Sequence, residues 1–241
     1  MVVAFRSALA VLLLWVLAAG PARADLAAGK AAYAAGDYAA AERAWRPLAE
    51  AGDAEAQYWL GDLYRFGLGR PVDFKAALRW QTRAARQGHV MAIYALGYMA
   101  EEGQGTARDL EKAECLYRVA AENGYANAQY ALYVIRRHDY NRLDWCERAA
   151  EQGQAKALTR LGWLGLMNPF SDDVEAYKLL ILGADRGNKH AAEELARAMA
   201  NTDQMVQRQL AEARRRAAKW SPVLETPPSP PVPVPASCWP G

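Results

Sequence analysis

Residues Ala54–Gly88 read AEAQYWLGDLYRFGLGRPVDFKAALRWQTRAARQG, and the chain then says it again. Gly61 is answered by Gly97, Gly67 by Gly103, Gly69 by Gly105, Asp73 by Asp109, Ala84-Ala85 by Ala120-Ala121 and Gly88 by Gly124, each 36 residues later. A fixed period of this size is the signature of a stacked repeat architecture.

The unit has an internal logic. Ala56, Leu60, Leu63 and Tyr64 fall at helical spacing and predict a first amphipathic helix. Gly67 and Gly69 end it, because glycine suits the left-handed conformation that closes helices. Asp73 caps a second helix, whose inward face is Ala77, Trp80, Ala84 and Ala85. Gly88 ends that one. A helical hairpin with an apolar face on each helix cannot bury both faces alone, so it needs neighbours.

The pattern A-x-A-Q-Y-x-L-G-x-L-Y-x-x-G-x-G, then D-x-x-x-A-x-x-W, then A-A-x-x-G, resembles the Sel-one-like repeats, a branch of the tetratricopeptide-type helical repeats. The resemblance is close over 54–88 and 90–124 and partial over 126–153, 155–187 and 189–200. It implies an all-α solenoid of stacked hairpins wound as a right-handed superhelix. It further implies a scaffold that binds other proteins and carries no catalytic residues. Many bacterial relatives are exported.

Outward from the repeats, residues 1–24 read as a signal peptide. Arg6 is the charged start, Ala8–Ala19 an apolar run too short to span a membrane comfortably, and Ala22-Arg23-Ala24 a small-x-small cleavage site. The competing reading is an uncleaved anchor. No cysteine follows the run, which argues against a lipid anchor. Removing Arg6 and Arg23 from 29 basic residues leaves 27 against 27 acidic ones, so a mature chain from Asp25 is formally neutral. That excludes a general electrostatic nucleic-acid binder.

Residues 25–53 read as a degenerate first hairpin: a helix over Leu26–Ala35, a turn at Gly36-Asp37, and a helix over Tyr38–Ala51 that Pro47 should kink or delay. Residues 54–200 hold the repeats. Gly124 to Gly153 is only 29 residues, so one inter-helix glycine loop is missing and His138-Asp139-Tyr140 makes a short connection. Asn168-Pro169-Phe170-Ser171 is a turn, and Asp172 with Glu175 has capping-box spacing. Residues 201–220 predict a capping helix, with Thr202 as its cap and Met205, Leu210 and Ala217 inward. Residues 221–241 hold seven of the twelve prolines in one run and predict a disordered or semi-rigid tail. A sharper reading makes the tail a ligand for a proline-binding partner or a spacer to the cell wall.

Chemistry finds little footing. His89, His138 and His190 lie in or near turns, and none has a Cys or His partner at metal-ligand spacing. No nucleophile elbow or phosphate loop is present, so no cofactor or metal is expected. Glu101-Glu102 and Asp172-Asp173 are adjacent on helices and point apart. Cys115 and Cys146 sit two positions out of register in neighbouring repeats, which favours free thiols over a bond between them.

The binding surface expected from the family pattern is the groove lined by first helices. Its residues are Tyr58, Trp59, Asp62 and Arg65, then Tyr94, Tyr98 and Glu101, then Tyr130, Val134 and Arg137, then Thr159, Arg160 and Trp163. Tyr, Trp and Arg are the usual anchors of protein interfaces. The competing reading places the tyrosines in the inter-repeat core, and Trp80 and Trp145 are expected to be core outright. The expected function is a periplasmic or secreted adaptor or regulator for a protein partner. The alternative is an envelope enzyme or receptor acting on cell-wall or β-lactam-like ligands.

Overall fold

In a computed structural model, residues 25–136, 141–228 and 230–239 are described. The leader, Arg137 and the His138-Asp139-Tyr140 connection lie outside them. The described elements are helices, with no β-strand among them. The chain divides into two compact units: Met1–Ala113 with Val234–Gly241, and Glu114–Pro233.

The first unit holds α1 (25–34), α2 (Tyr38–Glu50), α3 (Ala54–Phe66), α4 (Phe74–Arg86) and α5 (Val90–Glu102). The division falls inside α6 (Leu110–Glu122). Consecutive helices pack as neighbours from α2 to α5, as a stacked repeat requires. Asp53 and Asp73 accept hydrogen bonds from the amides of Ala56 and Ala76 at 2.7 and 2.9 Å, satisfying donors the first turn leaves free. Gly67 and Gly103 close α3 and α5 at φ 68° and 69°. The core gathers Ala41, Trp45, Ala49, Ala56, Leu60 and Leu63. Pro47 sits inside α2, which begins at Tyr38. The helix start is therefore not delayed, and the proline deprives the Arg43 carbonyl of its usual donor four residues on.

The second unit holds the rest of α6, then α7 (Ala126–Ile135), α8 (Arg142–Glu151), α9 (Ala155–Met167), α10 (Asp173–Asp185), α11 (Lys189–Ala200) and α12 (Gln204–Ala217). Its core includes Tyr133, Cys146, Ala149, Ala157, Leu158 and Leu182. The terminal helix α12 lies against α10 and covers it with Leu210, Ala213 and Ala217. Its cap is Asp203, which accepts from the Met205 amide at 2.7 Å, and not Thr202. Met205 points outward, 66% exposed, contrary to the sequence reading. Five residues before Leu210, it stands about 140° round the helix from that buried side chain. Asp172 does cap α10, accepting from Val174 at 2.9 Å, but Glu175 pairs with Lys178 rather than closing a capping box.

A glutamine ladder ties first helices to the helix before them. Gln57 Nε2 donates to the Ala49 carbonyl at 2.9 Å, and Gln129 Nε2 to the Ala121 carbonyl at 3.3 Å. Each adds a second hydrogen bond to a carbonyl that already accepts the amide of the closing glycine, Gly52 at 3.2 Å or Gly124 at 3.0 Å. Trp80 and Trp145 are only half-buried. Each carries an arginine one turn on, Arg83 at 4.7 Å and Arg148 at 4.6 Å from the ring centre. Cys146 is free and fully buried, while Cys115 and Cys238 are each disulfide-bonded. The expectation of free thiols had weighed Cys115 only against Cys146.

The tail departs most from expectation. Val223 donates its amide to the Glu151 carbonyl at 2.8 Å, and Glu225 and Val232 are hydrogen-bonded to side chains of the second unit. Cys238 is buried in a short 3-10 turn, Ala236–Cys238. Val223, Glu225 and Val232 are thus held by specific contacts.

Candidate functional groove

The first helices of the second unit build one well-formed groove. Positions 156, 159, 160 and 163 of α9 recur every three or four residues and share one face. The opposite face carries Ala157, Leu158 and Gly162, which are buried. Gly162 is where α10 approaches closest, since a Cβ there would lie 2.8 Å from the Ala176 carbonyl oxygen. That contact fixes the rotation of α9 and turns Lys156, Arg160 and Trp163 outward. Tyr130 from α7 and Asn188 and His190 at the start of α11 complete a groove of about 440 Å³.

Its interior is positioned by side-chain contacts. Arg160 donates from Nε to the Tyr133 hydroxyl at 2.7 Å, and its guanidinium lies 5.0 Å from the Trp163 ring centre. The Tyr130 and Tyr133 rings stand 5.8 Å apart. Burial pushes the Tyr130 hydroxyl's pKa up, so it stays protonated and available as a donor. The Thr159 hydroxyl donates back to the Ala155 carbonyl at 2.8 Å, which leaves its methyl for contacts. Asn188 caps α11 by accepting from Ala191 at 3.2 Å. The groove's described lining residues include two permanent cations, Lys156 and Arg160, and among them no carboxylate. An aromatic floor with a cationic wall can take an extended segment that offers an aliphatic or aromatic group beside an acid.

The first unit treats its share of the expected row differently. The Trp59 ring stacks on Trp45 at 5.4 Å and meets Tyr33 at 5.3 Å, so it packs the N-terminal hairpin. Asp62 is 6% exposed, accepts from Gln81 Nε2 at 3.1 Å, and lies 3.5 Å from Arg65 Nε. Burial outweighs Arg65 and Tyr58 and holds its carboxyl above the usual range. The Arg65 guanidinium lies over Tyr98 at 5.3 Å. Tyr58 stacks on His89 at 4.9 Å; burial lowers the His89 pKa, and the neutral ring's Nδ1 accepts from Ala92 at 3.3 Å. These side chains are consumed by one another. Tyr94 and Glu101 are half-buried, and Val134 is 39% exposed.

Of the expected row, then, Tyr130, Thr159, Arg160 and Trp163 come together in one groove, and Trp59 and Asp62 turn inward. Lys156, Asn188 and His190 were missed. Lys156 lay one turn from Arg160, which was a usable signal. Asn188 and His190 flank a helix start, where capping was the only visible role. A second hollow of about 630 Å³, lined by Tyr64, Gly105 and the 70–75 loop, was also not foreseen. Arg70 lies 3.8 Å over the Tyr64 ring there and is paired to Glu42.

Comparison with known proteins supplies the relatives. The family described as Sel1 repeat matches residues 54–89, 90–125, 143–154 and 155–188. No curated protein matches the chain. Among solved structures, the chain is similar to a Sel1 repeat protein from Oxalobacter formigenes. The two are 29% identical with TM-score 0.56, over 66% of this chain and 48% of that one. It is also similar to a protective antigen of uropathogenic Escherichia coli strains displaying an SLR fold, 25% identical with TM-score 0.60, over 83% of this chain and 46% of that one. The chain thus spans about half the length of either structure.

Proposed function

Four segments of this chain belong to the Sel1 repeat family, and on that premise we propose that it is a non-catalytic scaffold of the bacterial envelope which captures a segment of a partner protein in the groove of its second unit. Sel1 repeats generally mediate protein–protein interaction and do not catalyse reactions. The observation that carries the reading is the convergence of Tyr130, Arg160 and Trp163 from successive first helices on one groove. Placement in the periplasm, and an adaptor or regulator role there, rest on the leader-like residues 1–24 and on the disulfide-bonded state of Cys115 and Cys238, which suits an oxidising compartment. No described helix is long and apolar enough to cross a membrane.

Affinity capture with Trp163→Ala tests the reading. Trp163 is half-buried at the groove's edge, so its loss should weaken partner capture at least tenfold, about 1.4 kcal/mol, with little change in melting temperature. Unchanged capture by a variant that keeps its melting temperature would move the binding surface elsewhere.

A further inference from the structure

We propose that the face of the second unit beneath residues 222–228 and 230–233 is a recognition site for an extended, proline-rich segment bearing an acid, and that the chain's own tail is its resident ligand. This surface is formed by the ends of α6 and α8 and the start of α7, and it is not the groove described above.

The contacts are those of a built peptide site. Asn123 is 4% exposed, and its amide engages both polar groups of one tail residue: Nδ2 donates to the Val232 carbonyl at 3.0 Å, and Oδ1 accepts the Val232 amide at 3.0 Å. Val232 stands between Pro231 and Pro233, where it has the only backbone N–H of the three. Nine residues earlier the Val223 amide is taken by the Glu151 carbonyl at 2.8 Å. Between them Glu225 meets Arg148 in a two-pronged pair, Nε and Nη2 each donating at 2.7 Å, and accepts from Gln129 Nε2 at 2.9 Å. Two backbone clamps and one forked ion pair read an extended chain and the position of its acid.

Comparing the repeats with one another shows that these residues are set aside for the tail. In the repeat of α3 and α4, Gln87 at the second helix's end donates to Gln57 at 2.8 Å. In that of α7 and α8, Gln152 donates to Gln129 at 2.8 Å. The other two repeats lack the first glutamine: Ile93 and Leu158 stand at its position and offer no polar group. Their second helices end in Asn123 and Arg186 instead of glutamine. Both turn to the C-terminal segment, Asn123 to Val232 and Arg186 to the Trp220 ring at 4.7 Å. Arg148 has a counterpart too. Arg83 lies over Trp80 as Arg148 lies over Trp145, yet among the described residues it pairs with no carboxylate.

The full-length chain tests the proposal. Hydrogen exchange read by mass spectrometry reports on the amides of Val223 and Val232, the two that the site holds, and anisotropy reports on a fluorescent synthetic peptide of residues 222–233. Wild type should protect those amides and refuse the peptide. Glu225→Lys should exchange them at least tenfold faster and take up the wild-type peptide. The peptide should bind neither Glu225→Lys/Asn123→Ala nor Glu225→Lys/Arg148→Ala. Arg148→Glu with Glu225→Lys should restore protection, which a merely misfolded variant would not do. Coil-rate exchange in wild type, failure of the charge swap to restore protection, or refusal of the peptide by Glu225→Lys would each overturn the proposal.

Discussion

At Gly105 two constraints meet: the backbone sits at φ +76°, and a Cβ would lie 2.6 Å from the Phe74 carbonyl oxygen. At Gly88 the backbone is equally left-handed, φ +82°, but nothing lies within 4 Å. Gly88→Ala should therefore cost only the backbone term, about 1–2 kcal/mol, and Gly105→Ala distinctly more, since backbone must move to admit the methyl group. Urea unfolding of the two variants checks the order, and equal costs would refute it. Asp62 makes a second prediction. Its folded pKa is raised above the ordinary 3.8, so the folded state takes up a proton before the unfolded chain does as pH falls. Stability from this group is thus gained on acidification through the window just above 3.8 and lost as pH rises. Asp62→Asn should be at least as stable as wild type near pH 7, and its advantage should shrink toward about pH 4. A variant markedly less stable at neutral pH would show that Arg65 outweighs burial. The third is Cys146, whose thiol burial pushes up to about 12. It should resist thiol reagents in the native protein and react on unfolding. The glycine positions were legible in the sequence because each recurs at the repeat period. The burial of Asp62 was not, because a charged residue on a first helix reads as exposed until Gln81 from the next helix is seen beside it.

At the scale of elements, a tryptophan's role depends on which helix pair surrounds it. Trp59 belongs to the stack of Tyr33, Trp45 and Tyr58. Trp59→Ala should lower stability by roughly 3–4 kcal/mol, in the lower part of the range for truncating aromatics in cores. It should not disturb partner capture once the protein is folded. Trp163→Ala should do the reverse. Thermal melts and binding measured on both variants separate the two, and a shared pattern would mean one role for both. The sequence placed both residues in one row because they sit on first helices. It could not show that the degenerate hairpin of α1 and α2 covers the first of them. Helix number and order followed from the 36-residue period, and the start of α12 was missed by one position. Both Thr202 and Asp203 can cap, and only geometry chooses between them.

At the scale of the molecule, the fold class could be read from the repeats, while the fate of the proline-rich segment could not. Composition predicts a detached tail, because proline-rich chain forms few bonds with itself. It is silent on bonds to something else, and Asn123, Gln129 and Arg148 lie about a hundred residues away in the chain. Export is a prediction at this scale: N-terminal sequencing of the protein from the periplasmic fraction should begin at Asp25, and a chain still starting at Met1 in the cytoplasm would contradict it. The central claim is that the second unit's groove holds a partner protein. Site-specific photo-crosslinking in living cells tests it most directly, with the photoreactive residue placed at Lys156 on the groove's rim or at Arg79 on the exposed side of α4. The account predicts a discrete protein adduct from position 156, abolished by Trp163→Ala, and none from position 79. An adduct from position 79 with none from position 156 would contradict it.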